Sequence, residues 1–227
     1  MSSNQPTTEV WLWWSSGKDS AWCLYLLQQS PDYQVTRLLT TVNRAAGRVA
    51  MHGVRESLLR AQADAAGVPL TVIDLPYPCT NEEYQRRLQP ILKAAAEQGV
   101  TMAFGDLLLE DVRDYRLALL APHGIPSLFP LWGSDTRKLA QTMCANGLRA
   151  RLSCIDPQHL PPELAGAEFD QRLLDALPET IDACGENGEF HTFTYAGPMF
   201  SQSIAVTAGE VVERDGFVFC DLIAAAE

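Results

Sequence analysis

Through the first half of the chain, short apolar runs alternate with longer stretches whose apolar residues recur at helical spacing. The run VWLWW (10–14) precedes helical spacing from 18 to about 29, and the β-branched VTRLLTTV (35–42) precedes a helix over 54–66 that Gly67 should stop. A strand at 70–75, a helix at 81–98, a strand at 102–104 and a helix at 111–120 continue the rhythm, with one more strand at 127–131. Strands alternating with helices of this length predict βαβ units and a parallel sheet. The seven apolar residues AWCLYLL (21–27) predict a first helix that is nearly encased.

Beyond about residue 130 the rhythm changes. A helix over 135–145 and a strand over 150–155 lead into the proline-punctuated DPQHLPPEL, then a short helix near 169–177. The end reads as antiparallel strands at 190–195, 203–207, 210–214 and 217–223, with Asp215-Gly216 marking a hairpin turn. The shift divides the chain into expected domains at 1–132 and 133–227.

The first strand-to-helix junction, WSSGKDS (14–20), carries the most chemistry. In a parallel α/β sheet this turn lies at the carboxyl edge, where ligands bind. The N–H groups opening the helix have no intrahelical partner, and the helix dipole places positive charge there. Ser15, Ser16, Gly17 and Ser20 would admit and hydrogen-bond an anion, and Lys18 would add a point charge. The turn is not a Walker A loop, because Leu12 stands where its first glycine belongs and Asp19 follows the lysine. Ser16 and Asp19 also have capping-box spacing, so the residues alone leave a phosphate turn and a capped helix both open. Lys18 and Asp19 are expected at an exposed position.

Other candidates have structural readings of comparable weight. Gly105-Asp106 follows a strand at the same sheet edge, but an aspartate after a turn also caps helices. Glu110, Asp111, Arg113 and Asp114 begin the next helix, where acidic groups suit the dipole. His52 alone carries no assignment, and Cys79, with no base beside it in sequence, reads as a buried thiol. Asn187-Gly188 signals a type I′ turn, which leaves the crowding of Glu186, Glu189 and His191 beside it unexplained.

Composition narrows the classes. At 227 residues and 47% hydrophobic content the chain can bury a sizeable core, and it has no apolar run long enough to cross a bilayer. The opening MSSNQPTTEV lacks a basic n-region and an apolar h-region, so a short disordered lead-in is expected rather than a secretory signal. The six cysteines include no CxxC pair, which points to free, buried thiols and a cytoplasmic location. A formal charge of −11, with basic residues only singly or in pairs, argues against a nucleic-acid partner.

SSGKDS resembles the S-G-G-x-D-S signature of the PP-loop ATP pyrophosphatases, with Ser16 in place of the first glycine. RVAMHGVRESLL (48–59), LPYPCTNEEY (75–84), FGDLLLEDVRDYR (104–116), PLWGSDT (130–136) and CGENGEFHTFTYAGPMF (184–200) resemble, in order, the diphthine–ammonia ligase family within that group. The resemblance implies a doubly wound parallel sheet of the adenine nucleotide alpha-hydrolase type with a smaller C-terminal α+β domain. It implies ATP and Mg²⁺ as cofactors, with Ser15 to Ser20, His52 and Gly105 at the nucleotide. Lys18, Asp19 and Asp106 would be catalytic, and Asp19 and Asp106 would hold the metal. Glu110, Glu186, Asn187, Glu189 and His191 would bind the acceptor. The implied reaction is ATP-dependent amide ligation, in which a carboxylate is adenylated and ammonia displaces AMP. The acceptor is left open between diphthine on elongation factor 2 and a small carboxylate. A tRNA-modifying PP-loop enzyme and a non-catalytic nucleotide sensor are the competing readings.

Overall fold

The computed structural model describes residues 7–45, 47–49 and 52–225. Of the lead-in expected over 1–10, residues 1–6 lie outside the described residues, as do Ala50-Met51 of the RVAMHG motif, while Thr8–Val10 are not disordered but open the first strand, because they pair with Tyr33–Val35. Among the described residues, eleven strands and six α-helices follow one another as β1 (Thr8–Trp13), α1 (Lys18–Gln29), β2 (Tyr33–Asn43), β3 (Arg48–Val49), α2 (Glu56–Ala66), β4 (Leu70–Leu75), α3 (Asn81–Gln98), β5 (Thr101–Ala103), α4 (Glu110–Leu120), β6 (Ser127–Leu128), α5 (Thr136–Ala145), β7 (Arg149–Ile155), β8 (Glu168–Phe169), α6 (Gln171–Ala176), β9 (Phe190–Ala196), β10 (Val206–Arg214) and β11 (Phe217–Ala224).

The N-terminal sheet has β4, β2, β1, β5 and β6 side by side and parallel, while β3 turns back antiparallel on the end of β2. From β1 the chain winds outward through β2 and β4, then returns to place β5 on the other side. The order therefore reverses between β1 and β5, the position where open α/β sheets open a ligand crevice. The expected α/β class with a parallel sheet is borne out.

Local sequence sets the helix ends. Gly67 and Gly99 each take the left-handed conformation at φ 66° and stop α2 and α3, and the Thr80 hydroxyl accepts the N–H of Glu83 to begin α3. Leu88, Leu92 and Ala95 bury one face of α3 against Trp11, Leu39 and Met102 of the sheet. Removing each leucine side chain from water contributes about 2 kcal/mol. On α1, Ala21 to Leu24 and Leu27 are buried but Tyr25 is half-buried and Leu26 exposed, so that helix is less encased than its apolar run suggests.

The second sheet is antiparallel, built on β7, which pairs with β9, β8 and β11, while β10 closes the edge on β11. The expected strands 203–207 and 210–214 are one irregular strand, β10, whose register shifts between Ala208 and Val211. Asp215 (φ 54°) and Gly216 (φ 81°) form the predicted hairpin turn. One apolar core runs from Leu12, Leu24 and Leu38 into Leu152, Phe169 and Phe193, joining the two sheets. Arg48 and Arg55 reinforce the junction by pairing with Asp221 of β11 at 2.8 and 2.5 Å.

Candidate active site

The turn after β1, the turn after β5 and the segment from Cys184 to Thr192 meet around a cavity of about 470 Å³. Nine sequence candidates line it: Ser15, Lys18, Asp19, Ser20, His52, Gly105, Asp106, Glu186 and His191. Ser16 and Gly17 lie buried just beneath the wall. Glu110 is exposed in the first turn of α4 and does not line the cavity.

The turn is knitted by its own hydroxyls. Gly17 donates its N–H to Ser15 Oγ at 3.3 Å, and Ser20 Oγ donates to the Gly17 carbonyl at 3.0 Å. Since Ser20 has given its one proton, Ser15 Oγ donates across the 3.1 Å contact to Ser20 Oγ. The capping-box reading does not hold, because Gly17 is the N-cap and no side chain caps α1. Ser16 stands at φ 73°, the left-handed region that favours glycine, which is the residue the family signature has there. Its carbonyl accepts the N–H of Thr194 at 3.0 Å and Nε2 of Gln62 at 3.0 Å, which fix the unusual geometry.

Two glycines are favoured by close approach. A methyl group on Gly17 would lie 3.0 Å from Cε1 of His52. One on Gly105 would lie 3.0 Å from the N of Ser20 and 3.1 Å from the carbonyl carbon of Asp19, so the β5 turn sits directly on the first turn of α1.

Lys18 is 2% exposed rather than at an open turn. Its N–H donates to Thr192 Oγ1 at 3.0 Å, and its ammonium donates to Asp19 Oδ2 at 2.8 Å and to the Cys184 carbonyl. The rings of Phe169 and Phe190 lie 5.6 and 5.5 Å from it. Burial alone would lower the Lys18 pKa, but Asp19, Cys184 and Glu186 more than offset this and hold it raised. Asp19 keeps 25% of its side chain exposed, and burial raises its carboxyl against the pull of Lys18. Its Oδ1 and the Oδ2 of Asp106 are buried without a hydrogen bond.

His52 and His191 face each other with ring centroids 4.6 Å apart. Burial, then the neighbouring imidazole and Lys18, lower His52 to about 3. Burial and Lys18 lower His191 to about 4. Both rings are neutral near pH 7. Nδ1 of His52 lies 3.2 Å from the Thr192 carbonyl, which accepts, so that nitrogen carries the proton.

The C-terminal segment differs from its expected arrangement. Asn187-Gly188 is not a type I′ turn, since Gly188 has φ 90° but Asn187 does not share the positive φ that type requires. Glu189 is 2% exposed and accepts from the N–H groups of Asp182 and Asn187 and from the Asn187 side chain, so it folds the loop instead of facing the cavity. One oxygen of Glu186 accepts the N–H groups of Leu107 and Leu108 at 2.9 and 3.1 Å, which clasps the loop to the β5 turn. Cys79 is half-buried rather than buried, as is Cys144, and all six cysteines are free.

The sequence reading missed the aromatic wall. Trp13 stacks on Phe104 at 6.1 Å, and Arg116 of α4 lies 5.7 and 5.1 Å from those rings and 3.5 Å from Asp106. The signal was a placement: Trp13 and Phe104 end β1 and follow β5, and Arg116 lies ten residues beyond Asp106 on the helix that follows it.

Among the described residues there is no group of three or more His, Cys, Asp or Glu side chains suited to a metal ion, and no helix is long and apolar enough to cross a membrane. The Asp19 and Asp106 oxygens that make no hydrogen bond suit instead an ion that takes one or two carboxylates and completes its shell with phosphates and water, as Mg²⁺ does.

Comparison with known proteins gives one family for both halves of the chain. The "Diphthamide synthase N-terminal domain" model matches residues 8–117, and the "Diphthamide synthase C-terminal domain" model matches 135–224. The chain is 30% identical over 172 residues to diphthine–ammonia ligase of Danio rerio, covering 66% of this chain and 65% of that protein. It is 34% identical over 103 residues to diphthine–ammonia ligase of Schizosaccharomyces pombe, covering 44% of this chain and 17% of that protein. With the bovine diphthine–ammonia ligase it shares 31% over 94 residues, covering 39% of this chain and 35% of that protein. The matches thus span less than two thirds of the length of each of these relatives. With both domain models matched in order over almost its full length, the chain belongs to the diphthamide synthase family.

Proposed function

We propose that this protein is an ATP-dependent amide ligase that converts the carboxylate of a protein-borne diphthine acceptor to an acyl-adenylate, from which ammonia displaces AMP. The observation that carries this reading is the meeting of the Ser15–Ser20 turn and two carboxylates, each with a buried oxygen that makes no hydrogen bond, in one cavity at the β1–β5 reversal. The relatives named diphthine–ammonia ligase supply the acceptor class.

In this account the first turn of α1 receives the β- and γ-phosphates of ATP, and the acceptor carboxylate attacks the α-phosphorus. Negative charge accumulates on the departing pyrophosphate, facing backbone N–H groups and the Lys18 ammonium in a water-poor wall. Lys18 acts from a fixed position, because Asp19 and the Cys184 carbonyl hold it there. Asp19 and Asp106 would hold Mg²⁺, which would neutralise phosphate charge that two carboxylates would otherwise repel. Ammonia then adds to the acyl carbon, AMP leaves, and an amide remains. The domain division at 132/133 that motivates a separate acceptor-binding unit belongs to this proposal.

Acceptor-dependent exchange of labelled pyrophosphate into ATP tests the reading. Exchange that requires diphthine-bearing elongation factor 2 but not ammonia is expected. Exchange that is absent with the acceptor, or unaffected by it, contradicts the adenylate.

A further inference from the structure

Two cationic side chains line the cavity among the described residues, Lys18 and Arg116, against the carboxylates of Asp19, Asp106 and Glu186. An acceptor carboxylate entering this space beside a polyphosphate meets repulsion from all of them. It needs a positive group that is not already spent. Lys18 is assigned to the pyrophosphate, and its hold on Asp19 and the Cys184 carbonyl leaves it buried and fixed, so it cannot turn to a second anion. The two histidines carry no charge near neutral pH.

Arg116 differs in each respect. Its side chain is 23% exposed, and its guanidinium is steadied by the faces of Trp13 and Phe104 rather than by a bidentate partner. The nearest carboxylate, Asp106, is 3.5 Å away, and neither Nε of Arg116 nor Oδ2 of Asp106 makes a hydrogen bond. Arg116 also interacts with Tyr84, which lines the same cavity. A planar fork held against two rings, whose contact with Asp106 is a single 3.5 Å ion pair without a hydrogen bond, keeps the two-donor geometry that matches a carboxylate. Its place in the topology also fits. Arg116 lies on α4, which follows β5, whereas the phosphate turn follows β1, so the two face each other across the reversal of strand order.

We infer that Arg116 is the specificity-determining residue that binds the acceptor's carboxylate and presents it to the α-phosphate. The inference rests on the amide-ligase reading and adds to it the residue that selects an anionic acceptor. Trp13 and Phe104 are its positioning surface, and Asp106 limits how far the fork can swing.

The test uses Arg116→Lys, which keeps the charge and loses the fork, and Arg116→Met, which loses both. Steady-state rates are measured with diphthine-bearing elongation factor 2, ammonium and Mg²⁺, and ATP affinity is measured separately with a fluorescent ATP analogue. The acceptor KM should rise about tenfold in the lysine variant and about a hundredfold in the methionine variant, as for loss of a charge-assisted contact, while ATP affinity changes by no more than about threefold. Guanidinium ion added at millimolar concentration should restore part of the activity of a third variant, Arg116→Gly, and not that of wild type. Equal losses in ATP and acceptor affinity would place Arg116 on the phosphates and overturn the inference. An acceptor KM unchanged in both main variants would overturn it as well. Wild-type protein without acceptor-dependent turnover would instead overturn the ligase reading, and this inference with it.

Discussion

The carbonyl of Ser16 accepts the backbone N–H of Thr194 at 3.0 Å, so the turn between β1 and α1 of the parallel sheet is fastened to β9 of the antiparallel one. Gln62 completes the joint from α2. Its Nε2 donates to the carbonyls of Ser16 and Thr194 at 3.0 and 2.6 Å, and its Oε1 accepts from the Trp14 indole at 2.9 Å. The turn therefore owes its shape to the second half of the chain as much as to its own residues. That coupling makes several outcomes predictable.

Ser16→Gly should stabilise the protein by about 1 kcal/mol, read as a higher midpoint in urea unfolding with unchanged slope. Left-handed backbone costs a serine about 1–2 kcal/mol that glycine avoids, partly offset by glycine's greater freedom when unfolded. The substitution also removes a buried hydroxyl that lacks a hydrogen bond. A lower midpoint would mean that the Ser16 hydroxyl is satisfied in solution.

Gln62→Leu should destabilise by about 3 kcal/mol, since a side chain of similar size would leave the Trp14 indole and two carbonyls with fewer partners in a fully buried site. A change under about 1 kcal/mol in the same unfolding measurement would show that water substitutes for the amide.

Lys18→Met should abolish pyrophosphate exchange and also lower stability, by about 2 kcal/mol. Its partner Asp19 would lose its counter-ion but can still reach water, which moderates the cost of the broken pair. The sequence, which places this lysine at an open turn, predicts no stability cost. Full stability in thermal unfolding would favour that simpler picture.

Acid should loosen the site through the histidine pair. Both folded pKa values, about 3 for His52 and about 4 for His191, lie below the unfolded value near 6.5, so the unfolded chain binds more protons between them. Stability from this source is complete above about pH 6.5 and is lost as pH falls through about 4 for His191 and about 3 for His52. His191→Phe should flatten the dependence of the unfolding midpoint over that range. An unaltered slope would show that other groups govern acid unfolding.

Much of the fold was legible because its signals are local. Gly67 stops α2 as its place after Ala66 predicts, Asp215-Gly216 turns the last hairpin, and the alternation of apolar runs with helical spacing gives the parallel sheet. The candidate site was legible as a set of motifs but not as an arrangement. Nothing in SSGKDS says that its lysine is buried beneath Cys184, because that burial comes from a segment more than 160 residues away. Glu189 looked available beside His191 on spacing alone, yet it is consumed by the N–H groups of its own loop. Arg116 escaped notice because an arginine in a mixed-charge helix resembles a solvated face until Trp13 and Phe104 are brought to it by the strands on which the sheet turns.

The central claim is that ATP is cleaved between its α- and β-phosphates to activate a carboxylate. Product analysis with α-labelled ATP, Mg²⁺, ammonium and diphthine-bearing elongation factor 2 tests it most directly. The account predicts labelled AMP in equal amount to a new amide on the acceptor, with both lost when the acceptor is omitted. Labelled ADP, or tight ATP binding with no cleavage in the presence of acceptor and ammonium, would contradict it.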